Sequence, residues 1–284
     1  MSFPSIFGTW ATEDRLNALQ TEFAQAQPFP HIVIDDFFNA ELAHALENEF
    51  PIQQGESNKE VWQSLGWHVY DNPIEGKLAF DRIQALDKCF QTAWNALESP
   101  DTVARLRKIT GIPDLETDPY VHGAGLHYHP THGRLELHLD YSIHPISGME
   151  RRINLIVYLN SNWRQEWGGD LQLWEGDAQQ PKKLAQRIMP LFNRAVLFRT
   201  SDISWHGMPD DLQCPHNTGR KSLAIYFVSP PTATEGRPKA SFRPHADSMT
   251  SENYLELCKI RSERRLTPED VSQHMPEWIP RWFP

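Results

Sequence analysis

Between about Tyr120 and Ser229, apolar and polar residues alternate in short runs that Gly, Pro, Asn and Asp interrupt. Period-two alternation bounded by such residues predicts strands with one face buried. The runs are "GAGLHYH", "RLELHLDY", "RINLIVYLN", "GDLQLWE", "KLAQRIMP", "AVLFRT", "SWHGMP" and "RKSLAIYFVS". Eight strands of this texture fit an antiparallel double-sheet jelly roll. The first 119 residues have a different rhythm, an amphipathic helical stretch at "EDRLNALQTEFAQA" followed by a strand at "FPHIVIDDFF". Asn39 is placed to cap a helix over "AELAHALENEF" that Pro51 ends. Ser99, Pro100 and Asp101 supply a cap, a first-turn proline and a first-turn acid for "DTVARLRKIT", which Gly111 closes. Beyond Pro231 the pattern predicts a helix through "SENYLELCKIRSERR" and another opened by Thr267 and Pro268. The aromatic end "WIPRWFP" is expected to dock Trp278, Trp282 and Phe283 on the barrel or on a second subunit. The expected organisation is one domain over 1–284, mainly β with flanking helices in an α+β arrangement. Residues 1–119 form the support, 120–230 the jelly-roll core and 231–284 a helical extension.

Length and composition fit this picture, since 284 residues with 39% hydrophobic content can bury a sizeable core. No apolar run approaches the roughly 20 residues of a membrane span, and the start lacks the texture of a secretory signal, so the expected location is cytoplasmic. A net charge of −10 argues against nucleic acid or an anionic membrane as main partner. The three cysteines, Cys89, Cys214 and Cys258, form no C-x-x-C and read as free thiols of a reducing compartment. Cys214 and His216 alone do not make a closed metal site.

Candidate chemistry begins at "RLELHLDY". In a strand Leu135, Leu137, Leu139 and Tyr141 share one face, while Glu136, His138 and Asp140 share the other. His138 and Asp140 can therefore ligate one metal ion together, and His206 in "SDISWHGMP" is the best third ligand. Two His and one carboxylate with open positions suit a non-haem Fe(II). Downstream, alternation in "GRKSLAIYF" puts Arg220, Ser222, Ala224 and Tyr226 on one face. A guanidinium on an apolar strand is costly unless paired, so Arg220 either sits at the strand's wet end or receives a carboxylate ligand.

Together "HLDY", "WHG" and "GRKSLAIYF" resemble the iron- and 2-oxoglutarate-dependent dioxygenases, in particular the prolyl 4-hydroxylase-like superfamily. "FPHIVIDDFF", "RRINLIVYLNSNW", "GGDLQLWE" and "NRAVLF" resemble segments of bacterial members, so the likeness runs from about Pro28 to Ser229. The resemblance implies a double-stranded β-helix, with His138, Asp140 and His206 as catalytic Fe(II) ligands. It also implies Arg220 on the distal carboxylate of 2-oxoglutarate, assisted by Ser222. O2 is then the second co-substrate and ascorbate a reductant. The implied reaction hydroxylates an unactivated C–H of an amino-acid-like small molecule or a peptidyl residue such as proline, releasing succinate and CO2. Related halogenases lack a carboxylate at the position of Asp140, so its presence points to hydroxylation. Two departures stand out. Collagen-type members use Lys where Arg220 stands, and "PDDLQCPHNT" lengthens the interval after His206.

Further residues carry weaker expectations. Tyr128, Asn154 and Tyr158 are candidate co-substrate contacts. His127 and His129 form an H-x-H pair of the kind cupins use for metal, and otherwise line the pocket or its rim. His132 is expected in a turn, His122 and His144 on the surface, Gly168 and Gly169 in a sharp turn. Glu75 and Lys77 read as part of a lid or as a surface salt pair. The competing function classes are a cupin-like metal-dependent isomerase or hydrolase and a non-catalytic binding module. Expected partners are the substrate and, through the C-terminal extension, a second copy in a homodimer.

Overall fold

The computed structural model describes residues 6–52, 59–232, 236–237, 239–245 and 251–280. Thirteen strands and seven α-helices occur among them. The strands before the core are β1 (His31–Ile34), β2 (His68–Asp71), β3 (Gly76–Phe80) and β4 (Glu116–Thr117). The core strands are β5 (Gly125–Pro130), β6 (Leu135–Leu139), β7 (Glu150–Tyr158), β8 (Leu171–Gly176), β9 (Pro181–Ile188), β10 (Ala195–Arg199), β11 (Trp205–Met208) and β12 (Gly219–Ser229). A short β13 (Ser241–Phe242) follows. The helices are α1 (Glu13–Gln25), α2 (Ala40–Asn48), α3 (Lys59–Ser64), α4 (Lys88–Leu97), α5 (Pro100–Thr110), α6 (Glu252–Glu263) and α7 (Pro268–His274).

Local signals act as the sequence predicts. Asn39 accepts from the Leu42 amide and Ser99 from the Thr102 amide, which satisfies amides that have no partner inside α2 and α5. Gly111 ends α5 in the left-handed conformation at φ 68°. Thr267 and Asp270 form a reciprocal capping box on α7.

The core strands are distributed between two facing antiparallel sheets. An eight-stranded sheet runs β1-β10-β7-β12-β5-β3-β2, with β4 beside β12, and a five-stranded sheet runs β13-β6-β11-β8-β9. The result is an antiparallel double-stranded β-helix sandwich. Helices α1, α2, α4 and α5 cover the outer face of the larger sheet. There Leu16, Leu19, Phe23, Phe90, Leu97 and Leu106 share one core with Leu155, Leu223, Ile225 and Phe227 of the strands. On β12 the alternation holds, for Arg220, Ser222, Ala224 and Tyr226 line a cleft between the sheets. One strand therefore builds core on one side and site on the other.

Residues outside the core interval also enter the sheets. β2 and β3 extend the larger sheet beside β5, and β13 pairs β6 at the edge of the smaller one. Alternation in "GKLAF" is short, yet this stretch forms β3. Lys77 accordingly lies on a strand, and Glu75 is buried beneath α6 rather than in a lid or an exposed pair. Arg261 of α6 donates to both Glu75 oxygens, one at 3.0 Å, and Lys77 lies 3.6 Å away. Tyr254, Leu257 and Cys258 add an apolar contact with Ile74 and Phe242. Trp278 is half-buried and Ile279 is 72% exposed, while Trp282 and Phe283 lie outside the described residues.

Burial raises the Glu75 carboxyl, but Arg261 and Lys77 outweigh it and hold it at about 2, below the ordinary 4.5. A depressed carboxyl contributes stability that is complete above its unfolded value and fades as pH falls through the folded one. Glu75→Gln is therefore expected to cost about 3 kcal/mol at neutral pH in denaturant titrations, the usual consequence of leaving a buried cation without its partner. The gap should narrow as the pH drops from about 5 toward 3. A gap independent of pH would mean that packing, not charge, holds α6 in place.

Candidate active site

His138 and His206 face each other across neighbouring strands, for β6 and β11 pair His138 directly with His206. Their rings lie 4.4 Å apart between centroids, flanked by Phe242 at 5.1 Å from His138 and Phe198 at 4.6 Å from His206. Each Nδ1–H donates to a backbone carbonyl, that of Glu136 at 2.9 Å and that of Ser204 at 2.8 Å. These bonds fix the tautomer and leave both Nε2 lone pairs free. The two Nε2 atoms point at the carboxylate of Asp140, 3.7 Å from Oδ1 and 3.9 Å from Oδ2. One donor atom from each of the three residues lies within 4.8 Å of the others, the single such cluster among the described residues. The site is buried but opens on the cleft.

The electrostatics prepare these groups for a cation. Burial, and then His206, push His138 down to about 3, so its ring is neutral at pH 7. Burial works against the Asp140 carboxylate, yet Arg151 first, and then the two histidines and Asn154, hold it at about 2. Two imidazoles and one carboxylate are a donor set suited to Fe(II), with one side left open. The residues present thus fit the metal.

Arg151 was missed by the sequence reading. It lies 3.4 Å from Asp140 Oδ1, donates to the His122 carbonyl at 2.9 Å and is sandwiched between the rings of Tyr141 and Tyr226 at 3.5 and 3.3 Å. Strict alternation on β7 would turn it away from the cleft. A bulge intervenes, since Phe227 and Val228 of β12 face Ile153 and Arg151, and the skipped Arg152 re-aims its neighbour. Glu136 is the mirror case. Between the pairs His206–His138 and Met208–Leu135 the strand β6 carries one residue more than β11, so Leu135 and not Glu136 lines the cleft. Glu136 instead accepts from the Tyr254 hydroxyl at 2.6 Å and lies 3.1 Å from His245 Nδ1 and 3.4 Å from Arg134. Its basic neighbours, His245 and Arg134, thus take the place of a contact in the cleft.

The cleft has a volume of about 560 Å³ and is lined both by the metal-ligand cluster and by Arg220 and Ser222. Arg220 is only 5% exposed, has no carboxylate within 4 Å among the described residues, and its Nε has no partner. Its guanidinium lies 4.6 Å over the Tyr158 ring, whose buried hydroxyl also lacks a partner. Gly169, at φ 83°, lets the backbone pass close by, because a Cβ there would sit 3.2 Å from the Arg220 side chain. Opposite Arg220 and Ser222 on β5 stand His129 and His127. Both line the cleft and are kept neutral, His127 down to about 3, by burial and then by Lys77 and Arg220. They stand outside the metal-ligand cluster, so among the described residues the H-x-H alternative has no third donor.

Three weaker expectations are revised. Tyr128 faces the helix layer, packed near Phe50, and cannot reach a ligand in the cleft. Asn154 does line the cleft, but its amide donates to Asp140 Oδ2 at 3.3 Å, making it a partner of a metal-ligand candidate. His144 is buried rather than superficial, because its Nε2 lies 3.3 Å from Asp118 and its Nδ1 accepts two backbone amides. His132 does occupy a turn, at φ 59°, and the three cysteines are free.

Residues 124–228 match the 2OG-Fe(II) oxygenase superfamily. Prolyl 3-hydroxylase OGFOD1 of Mus musculus is 29% identical over 219 residues, which are 76% of this chain and 35% of the mouse protein. The chain thus spans about a third of that relative's length. Two solved structures share the fold, each at 16% identity and a TM-score of 0.51. A Pseudomonas putida prolyl-4-hydroxylase is covered completely by 76% of this chain. A Trichoplax adhaerens prolyl hydroxylase, solved with a hypoxia inducible factor peptide fragment, is covered to 94% by 78% of it. Over residues 124–228, the interval that carries His138, Asp140 and His206, this chain is similar to the 2OG-Fe(II) oxygenase superfamily, and its fold is the one shared with prolyl hydroxylases.

Proposed function

We propose that the protein is an Fe(II)- and 2-oxoglutarate-dependent hydroxylase acting on an unactivated C–H bond of a peptidyl residue, with proline the leading candidate, or of an amino-acid-like small molecule. The observation that carries this reading is the alignment of two anion-seeking or metal-seeking groups in one cleft. A carboxylate flanked by two free imidazole Nε2 atoms and a buried guanidinium without a carboxylate within 4 Å among the described residues line the same cleft. In this assignment His138, Asp140 and His206 hold Fe(II). Arg220 forks onto the distal carboxylate of 2-oxoglutarate, with Ser222 and the Tyr158 hydroxyl as further donors.

Fe(II) with 2-oxoglutarate and O2 supplies the oxidising power, with succinate and CO2 as co-products and ascorbate serving as reductant for any iron oxidised off cycle. The chain's part is positioning and exclusion of water. Arg151 and Asn154 keep Asp140 ionised and oriented, and the two backbone carbonyls keep the imidazoles turned inward. Phe198 and Phe242 wall the ligand end with apolar surface. A cupin-like hydrolase or isomerase gives Arg220 no task. A binding module would not need every ligand and the guanidinium together.

Anaerobic addition of Fe(II) and 2-oxoglutarate to the full chain is expected to produce a weak visible charge-transfer band that neither component gives alone. Absence of the band, with no succinate formed on admitting air in the presence of prolyl peptides or amino acids, would sink the oxygenase reading. No helix among the described residues is long and apolar enough to cross a membrane.

A further inference from the structure

The chain carries a net charge of −10, yet Lys77, Lys239, Arg261, Arg264 and Arg265 all line its cleft. Lys77 and Arg261 share the single carboxylate of Glu75. Arg264 is occupied by Asp270, at 2.6 and 2.7 Å. Arg265 and Lys239 have no carboxylate within 4 Å among the described residues, and the Lys239 ammonium donates to the backbone carbonyl of Glu263. The Arg265 guanidinium lies 5.0 Å from the Tyr70 ring centroid and the Lys77 ammonium 5.2 Å from the same ring, so both converge on one aromatic wall of the mouth. Asp81, the acid at this rim, lies 3.2 Å from His68. The mouth is left with a positive excess in a concave, partly desolvated setting, where such an excess attracts anions most strongly.

Three of these cations, Lys239, Arg261 and Arg265, come from the segment after residue 228, beyond the interval that matches the family. The same segment closes the cleft physically. Phe242 stacks on His138 at an interplanar angle of 20°, and Arg237 donates to the Asp140 carbonyl at 2.7 and 3.0 Å. We propose that the C-terminal segment makes the cleft selective for an anionic substrate, one carrying a carboxylate near the oxidised carbon, which docks on Arg265, Lys239 and the Lys77–Arg261 pair. This rests on the oxygenase reading and adds the class of substrate. The carboxylate can be an acidic side chain flanking a peptidyl proline or the carboxylate of a free amino acid.

The test is anaerobic calorimetry on the full chain with Fe(II) and saturating 2-oxoglutarate, so that the inner anion site is filled. The probes are a capped pentapeptide with one proline flanked by Glu, the same peptide with Gln or with Lys, and free L-glutamate and L-proline. At low salt the acidic peptide or free glutamate is expected to bind at least about tenfold more tightly than the Gln peptide, with the preference shrinking as salt is added. Whichever binds more tightly identifies the source of the carboxylate. Arg265 and Lys239 are exposed, so the double variant R265A/K239A should fold and should reduce the preference to about twofold. Equal binding of Glu and Gln peptides, tighter binding of the Lys peptide, no binding of any acidic probe, or an undiminished preference in the double variant each overturns the proposal. A normal charge-transfer band accompanied by such a result removes this inference alone, whereas a missing band removes the oxygenase reading beneath it.

Discussion

Asp140→Ala is expected to abolish the charge-transfer band and succinate formation and to weaken Fe(II) binding by more than about a hundredfold. Loss of a mere partner of a metal ligand already costs ten- to hundredfold, so loss of the sole anionic donor should exceed that. The substitution should leave the fold intact. Arg151 would lose its carboxylate but keep the faces of Tyr141 and Tyr226 and the His122 carbonyl, and the Asp140 backbone would keep its bonds from Arg237. The contacts of Asp140 also rank the neighbouring variants. Asn154→Ala removes one bond at 3.3 Å, so its effect on iron affinity should fall within the ten- to hundredfold range, well short of that of Asp140→Ala. Metal titration followed by the band, with thermal unfolding as control, separates these cases. An Asp140→Ala protein that is folded and retains the band would remove Asp140 from the metal site.

Most of the molecule was legible because its strands obey simple periodicities. The core runs quoted from the sequence all become strands, and the capping residues Asn39, Ser99, Gly111 and Thr267 act where they were expected. What escaped has one recurring physical cause. A bulge shifts the face of every residue beyond it, and alternation read from sequence alone does not register the extra residue. On β7 that shift delivers Arg151 to the Asp140 carboxylate, and on β6 it turns Glu136 out of the cleft toward Tyr254 and His245. Both bulges lie beside the metal-ligand candidates, where re-aiming a side chain has most use. The ion pair between Glu75 and Arg261 was illegible for a different reason, since it joins residues 186 positions apart. A lone "EGK" in a loop-like stretch carries no signal of a partner so distant.

Arg220→Ala should separate the two ends of the cleft and, against habit, stabilise the protein. A guanidinium 5% exposed, with no carboxylate within 4 Å among the described residues and an unpartnered Nε, has little beyond the Tyr158 ring face to offset its desolvation while 2-oxoglutarate is absent. Its pKa is accordingly pushed down, by burial foremost, with Tyr158 and Asp170 opposing. Removing it is expected to leave the free protein as stable or more stable by about 1 kcal/mol, as when a buried charge is exchanged for apolar surface. Binding of 2-oxoglutarate should meanwhile fall by about a hundredfold, within the range for deleting one partner of a buried charge pair. Fe(II) affinity measured without 2-oxoglutarate should stay within about twofold, because Arg220 belongs to neither the ligand set nor the Arg151 and Asn154 contacts that hold it. Arg220→Lys tests the fork itself: it keeps the charge, so it should recover part of the affinity but not the bidentate geometry. Calorimetric titration of each component separately, alongside thermal unfolding, reads all of these quantities. Parallel losses of iron and 2-oxoglutarate, or a marked drop in stability, would return Arg220 to an ordinary structural role.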